Sequence, residues 1–387
     1  MKKLHVLSLV HLPVSEKYNS CAYTQKIVKF CKMMLSLGHQ VYLYGAEGSD
    51  APCTEFIQTH TLKDIRDAWG DEGNDEGLGY DWTKEGGFRF KRFNDNPKAQ
   101  ALHDRVLDTM ITEINARKRF YDFLCLTQGI YHKRVYEQVR LPLSVETGIG
   151  YVNTIAKFRA FESEFIRNLI SGANPQSSIE WKDGTSQKLE GGKTGLGQFY
   201  DRVIPNYFDA KDFDNTQKKE DYMLYLGRII PMKGIHIAIE LAKATGHKLL
   251  VAGQGELDVI DEYKQYIEPV GYADLNKRKE LMAKAKLFLY PTMYLEPFGG
   301  ATVEANLSGT PVLTTNFGCF PETIQNGVNG YRCNTFKDFV NRANDIMAGE
   351  FEPDLRRYMV RHFGERYLME NVRNEFDAWF DDLLPNW

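Results

Sequence analysis

No stretch of the 387 residues approaches the roughly 18 to 20 uninterrupted apolar side chains that span a bilayer, so no integral membrane segment is expected. Cysteine is scarce: the six (Cys21, Cys31, Cys53, Cys125, Cys319 and Cys333) form no Cys-x-x-Cys pair and no cluster with histidine. That spacing argues against structural zinc and predicts reduced thiols. A surplus of charge is missing as well, since 48 basic against 52 acidic residues leave −4. Nothing global therefore draws the chain to nucleic acid or an anionic bilayer, and such a partner would need a local patch. With 43% hydrophobic and 26% charged residues, disorder and a collagen-like chain are excluded, and the length suits two domains. The opening Met1-Lys2-Lys3 precedes an apolar run that His11 and Pro13 end early, with no small-residue cleavage site. It predicts a first buried strand and a cytoplasmic protein.

What is present is a repeated alternation. Leu4 to Val10 reads as a buried strand, Ala22 to Leu37 as an amphipathic helix closed by Gly38, and Gln40 to Gly45 as the next strand. Strand, helix, strand in that order implies a parallel sheet with right-handed crossovers. Helix 101–119 with strand Asp122 to Leu126, and helix 131–139 with strand Leu143 to Glu146, continue it. After a polar linker, Lys211 to Asp221, the pattern restarts with strands at 223–226, 248–252, 267–271, 287–290 and 311–314. Helices at 337–348, 353–368 and 371–384 complete the chain. The fold class is therefore α/β, two tandem Rossmann-like parallel-sheet domains facing a cleft. The expected boundaries are 1–205, 206–370, and a final helix 371–387 returning to the first domain. Two polar stretches interrupt the pattern: glycine-rich 67–88, read as a loop, and 171–197, read as a mobile insertion. Gly192-Lys193-Thr194 inside the second lacks the glycine spacing and preceding strand of a phosphate loop.

The richest segment runs from Glu296 to Val312. A strand ends at Tyr290, a loop carries Glu296, and Gly299-Gly300 opens a helix whose free N–H groups and dipole suit a diphosphate. Glu296 precedes that helix and Glu304 lies about one turn into it, placed to accept from vicinal hydroxyls. Alone, the glycine pair reads rather as a tight turn, with Glu296 a surface acid and Glu304 a helix-face charge. A second element, Gly227-Arg228-Ile229-Ile230-Pro231-Met232-Lys233-Gly234, follows the first strand of the same domain. It sets two cations at a strand's carboxyl end, where ligands gather in open α/β sheets. A third, Gly253-Gln254-Gly255, supplies glycine after the next strand. Together they describe a pocket for a polyhydroxylated anion.

These motifs resemble those of retaining glycosyltransferases of the GT-B architecture, glycosyltransferase family 4. The resemblance lies in Gly227 to Gly234, in Glu296 and Glu304 with seven residues between them, and in Thr310-Pro311-Val312, Pro321-Glu322 and Asn326-Gly327-Val328-Asn329-Gly330. It is dense over about 222–331 and topological elsewhere. It implies that Arg228 and Lys233 hold the donor diphosphate and that Glu304 binds the ribose. It further implies that Glu296 and the amides of Phe298, Gly299 and Gly300 grip the transferred sugar, with Gly271 and Tyr272 beside the base. Gly227 and Gly253 are expected to border the donor. No metal and no cofactor are implied; the nucleotide-sugar is itself a substrate, UDP-linked first and GDP-linked next. The resemblance also implies transfer with retention, by front-face attack.

The first half departs from that pattern. The loop after the first strand, His11 to Ala22, has no glycine, so acceptor-side contacts fall to His11, Ser20 and Cys21, with Gln128 after a later strand. Glu146, at another strand tip, reads either as an acceptor group or as a carboxylate capping the next turn. Residues 146–151, 158–163 and 203–209 also resemble glycosyltransferase-like proteins of bacteriophages. A modified, hydroxymethylated DNA base as acceptor would need a basic cleft around Lys157, Arg159, Arg167, Arg117, Lys118 and Arg119. A saccharide, a lipid-linked glycan or a protein is the other acceptor class, and a nucleotide-sugar-binding protein without transfer is the competing reading. The run Lys277-Arg278-Lys279 reads as a solvated helix face.

Overall fold

The computed structural model describes residues 1–19, 21–69, 96–173, 200–216, 218–257 and 259–384, with the backbone of 179–180 and 186–187. Ser20, nearly all of the glycine-rich 67–88 stretch and most of the 171–197 insertion lie outside the described residues. The chain divides into two compact units, one holding residues 1–69, 96–206 and 373–384 of those described, the other 207–372.

In the first unit the chain order is β1 (Lys3–Leu7), α1 (Ala22–Ser36), β2 (Gln40–Ala46), β3 (Glu55–His60), α2 (Leu62–Trp69), α3 (Pro97–Arg117), β4 (Phe123–Leu126), α4 (Lys133–Val139), β5 (Leu143–Ile149), β6 (Phe158–Phe161) and α5 (Glu164–Ala173). Then come the short pair β7 (Ile179–Glu180) and β8 (Ser186–Gln187), and β9 (Arg202–Val203). Seven of these strands form a sheet ordered β3-β2-β1-β4-β5-β6-β9, and every pairing in it is parallel. Strands buried on both faces need no alternation, which is why β4 and β5 are apolar or fully buried throughout.

The second unit runs β10 (Glu220–Leu226), α6 (Ile235–Thr245), β11 (Leu249–Ala252), β12 (Ile267–Gly271), α7 (Leu275–Lys284), β13 (Ala285–Tyr290), α8 (Gly300–Leu307), β14 (Val312–Thr315), α9 (Phe320–Thr323), β15 (Gly330–Cys333), α10 (Phe336–Met347) and α11 (Asp354–Glu365). Its described sheet is also parallel, ordered β12-β11-β10-β13-β14-β15. One face packs α6 and α10 through Met223, Leu249, Leu287, Leu241, Phe339 and Ile346, all buried. The last helix, α12 (Met369–Leu383), belongs to the first unit from Arg373 onwards. There Phe376 meets Phe30 at 5.3 Å between ring centroids and Phe380 meets Phe123 at 4.7 Å.

Each sheet reverses its winding once: between β1 and β4 in the first unit, and between β10 and β13 in the second. Loops leaving adjacent strands toward opposite faces open a crevice at such a point, the usual ligand position in doubly wound sheets.

Candidate functional site

The loops after β10 and β13 meet at the second unit's reversal point, which brings the cation motif against the acid motif. Close approach rests on glycine: a Cβ on Gly234, at φ +75°, would sit 1.9 Å from the Pro291 carbonyl oxygen. The Met293 and Tyr294 amides both donate to the Met232 carbonyl, at 2.8 and 3.1 Å, and lock the loops together. Beyond them the Lys233 ammonium forms an ion pair with Glu296 Oε1. Both residues are nearly buried, at 9% and 7% exposure. The Tyr290 hydroxyl donates to the same carboxylate oxygen at 2.9 Å, and the ammonium lies 4.8 Å from the Tyr294 ring centroid. Burial, then the Glu296 charge, pushes the Tyr290 hydroxyl well up, so it stays a donor.

Arg228 is exposed and has no carboxylate partner among the described residues. Its carbonyl accepts from the Tyr225 hydroxyl at 2.8 Å, which fixes the backbone beneath a side chain left to water. After burial, the opposing charges of Glu296 and Arg228 both act on the Tyr294 hydroxyl. The site thus has one neutralised cation and one open cation.

The three strand-tip glycines lie in a row. The Gly227 amide donates to the Ala252 carbonyl at 3.0 Å and the Gly253 amide to the Gly271 carbonyl at 2.9 Å. A Cβ on Gly253 would fall 1.7 Å from the Gly227 carbonyl oxygen, so no other residue fits. Gly299 precedes α8 and no side chain caps the helix, which leaves its first amides to be satisfied by a ligand or water. Phe298 presents only its main chain here. Its ring is 3% exposed and packs 5.3 Å from the Tyr367 centroid, in a cluster with Phe208, Val303 and Leu307.

The second glutamate has a different partner. Glu304 Oε2 accepts from Arg278 Nη2 at 2.5 Å, which corrects the reading of Lys277 to Lys279 as a wholly solvated face: Arg278 turns inward to α8. The two glutamates therefore sit in two ion pairs, not around one cation. Behind α8 the Asn329 side chain donates to Asn306 Oδ1 at 2.8 Å and to the Thr323 carbonyl at 2.9 Å. The Asn-Gly-Val-Asn-Gly motif is thus the support of the helix that carries Glu304.

In the first unit, His11 Nε2 lies 3.4 Å from Cys21 Sγ. Burial pushes the His11 imidazole down to about 3 and the Cys21 thiol up, so both are neutral near pH 7. Gln128 is buried and its Oε1 has no hydrogen-bond partner among the described residues. Glu146 is 0% exposed. It accepts from the Tyr151 hydroxyl and the Ile155 amide at 2.9 Å each and the Ala156 amide at 3.1 Å. That is the geometry of a carboxylate anchoring the following loop. Burial raises its pKa despite these donors.

The proposed basic cleft is largely spent on internal pairs. Arg159 grips Asp201 with a fork, at 2.8 and 2.6 Å, both side chains 4% exposed. Arg117 pairs with Glu55 and Glu113, Arg167 with Glu164, and Lys118 donates to the Val139 carbonyl. Among the described residues, no group of three or more His, Cys, Asp or Glu side chains is placed to hold a metal ion, and no helix is long and apolar enough to cross a membrane.

Residues 208–362 match the family model "Glycosyl transferases group 1". A glycogen synthase of Mycobacterium tuberculosis is 32% identical over 123 residues, covering 29% of this chain and 30% of that protein. Among the first relatives matched, the alignments cover 30% to 52% of their lengths, so the chain spans a third to a half of each. Among solved structures, AviGT4, a glycosyltransferase of avilamycin A biosynthesis, superposes with a TM-score of 0.63 at 18% identity, over 100% of this chain and 99% of that one. Anabaena HepE, solved with UDP and glucose, gives 0.64 at 13% identity, over 98% and 100%. The fold is that of GT-B glycosyltransferases, with a parallel-sheet α/β unit in each half.

Proposed function

We propose that the chain is a retaining, metal-independent glycosyltransferase of the family 4 type, moving a sugar from a UDP-linked donor, with GDP-linked donors next, to a hydroxyl acceptor. The observation that carries the reading is the junction of Lys233, Glu296 and the open Arg228 beside the uncapped start of α8. Two cations and helix amides suit a departing diphosphate, the arginine as a fork and the lysine as a point charge, with no divalent ion required. Glu296 accepts from sugar hydroxyls and Glu304 from the ribose, while Gly271 and Tyr272 border the base. The anomeric carbon–phosphate oxygen bond breaks, the acceptor oxygen bonds to the same carbon from the same face, and the acceptor proton passes to the leaving phosphate. Covalent double displacement would require a carboxylate on the opposite face of the sugar, and no such nucleophile is identified. A UDP donor is supported by the UDP and glucose held in HepE.

On the acceptor side the reading rests on His11, Cys21 and Gln128, since the oxygens of Glu146 are engaged by its own loop. A saccharide acceptor is supported by the glycogen named in the matched relative. A modified DNA base, and with it a bacteriophage origin, is less well supported because the arginines it would need are paired internally. Six unpaired cysteines support a cytoplasmic setting.

The test is turnover of a panel of nucleotide sugars by the wild type and by Arg228→Ala, Lys233→Ala and Glu296→Ala. Each substitution should lower kcat/KM by about 100-fold or more, close to 3 kcal/mol. Turnover within about threefold for all three would overturn the assignment of roles, and nucleotide binding without turnover in the wild type would favour a binding protein.

A further inference from the structure

The ion pair between Arg278 and Glu304 is used by none of the motifs. Arg278 lies in the first turns of α7, just after the Gly271-Tyr272 turn, and its Nη2 donates to Glu304. A guanidinium carries five N–H donors in a rigid plane. Only the Nη2 group is used by a protein atom among the described residues, so the rest of the fork is open. Leu275, three positions earlier on the same helix, stands on the same face and is 44% exposed. Burial pushes the Tyr272 hydroxyl up and the Arg278 charge opposes it, which places the two side chains within electrostatic reach. Asp274 does not compete for the arginine, because its carboxylate caps α7 by accepting from the Lys277 amide at 2.8 Å. An open donor fork thus lies against the glutamate assigned to the ribose, on the helix that follows the Gly271-Tyr272 turn and carries an exposed leucine one turn earlier.

We infer that Arg278 selects the nucleobase: its open N–H groups donate to a ring carbonyl oxygen, as on uracil or guanine, while the base plane lies on Leu275. The inference rests on the nucleotide-sugar reading of this unit. Cytosine and adenine carry an amino group where uracil and guanine carry that oxygen. A donor would then face a donor, and both would be left unsatisfied in a partly buried site. Arg278 also holds Glu304 from one side, so the ribose contact and the base contact are set by one guanidinium.

The experiment is calorimetric titration of the full chain with UDP, GDP, CDP and ADP, for the wild type, Arg278→Lys and Arg278→Met, with a melting curve for each. The wild type should bind UDP or GDP at least about tenfold more tightly than CDP and ADP. In both variants that ratio should fall below about threefold while diphosphate binding persists. Arg278→Lys keeps a charge beside Glu304 without the fork, and carries the comparison if Arg278→Met melts early. Equal wild-type affinity for all four, or uniform weakening in the variants, overturns base selection and leaves the nucleotide reading standing. No binding of any nucleoside diphosphate overturns the nucleotide reading itself, and base selection with it.

Discussion

Separating the stability of the Lys233–Glu296 pair from its chemistry is the sharpest prediction. Lys233→Met leaves the Glu296 carboxylate at 7% exposure with the Tyr290 hydroxyl as its remaining donor. Breaking a buried pair by removing one partner costs about 3–5 kcal/mol. Because about a tenth of each side chain still meets solvent, roughly 2–4 kcal/mol is expected here. Glu296→Gln keeps an acceptor for Tyr290 and for the ammonium, and should cost about 1–2 kcal/mol. The double variant removes both charges and their desolvation together, so its stability should return to within about 1 kcal/mol of the wild type. Since 1 kcal/mol moves the melting midpoint of a unit this size by about 2–4 °C, the Lys233→Met loss is readable by differential scanning calorimetry. Donor turnover should be lost in all three variants, because the double variant restores stability but neither phosphate charge nor sugar acceptor. Strict additivity, with the double variant as unstable as the two losses summed, would refute the pairing.

Acid should weaken the first unit before the second. His11, His60 and His132 are buried there and held down to about 3, 4 and 4, chiefly by burial. Their folded pKa values lie below the unfolded one, so the stabilisation is complete above about pH 6.5 and is lost as pH falls toward 4, at up to about 1.4 kcal/mol per histidine per pH unit. Hydrogen exchange at pH 7 and pH 5 should show protection falling more in β1, β3 and β4 than in β10 and β13; equal loss in both units would contradict this. Gly253→Ala meets backbone at 1.7 Å while Gly38→Ala meets nothing within 4 Å, though both glycines have positive φ. Chemical denaturation should show about 1 kcal/mol lost at Gly38 and at least about 2 kcal/mol at Gly253. Equal losses would mean that the row of glycines at the strand tips is not tightly packed.

The parallel-sheet organisation was legible because long apolar runs and 3.6-residue periodicity are strong signals. Ala22 to Leu37 and Gln40 to Gly45 are found almost residue for residue as α1 and β2. The weaker elements were not legible. Edge strand β3, Glu-Phe-Ile-Gln-Thr-His, has little apolar content and no clean alternation, and β6 holds a buried arginine, which reads as surface until Asp201 is seen to pair with it. Strand β1 ends at Leu7, although Ser8 to Val10 are also buried, because burial and strand pairing part company where the loop begins. At the site, the spacing of Glu296 and Glu304 pointed to one ligand, but spacing carries no information about which cation each meets. Lys233 is 63 residues from Glu296 and Arg278 is 26 from Glu304, so only the fold makes those pairs. Tyr290 and Tyr294 were missed for the same reason: as isolated aromatics near a strand end they look like core.

The most direct measurement is a crystal structure of the protein grown with UDP or a UDP-sugar. The account predicts the diphosphate between the Arg228 guanidinium, the Lys233 ammonium and the amides of Gly299 and Gly300, with the ribose on Glu304. A diphosphate bound anywhere else, or Arg228 and Lys233 left without contact to it, would contradict the account.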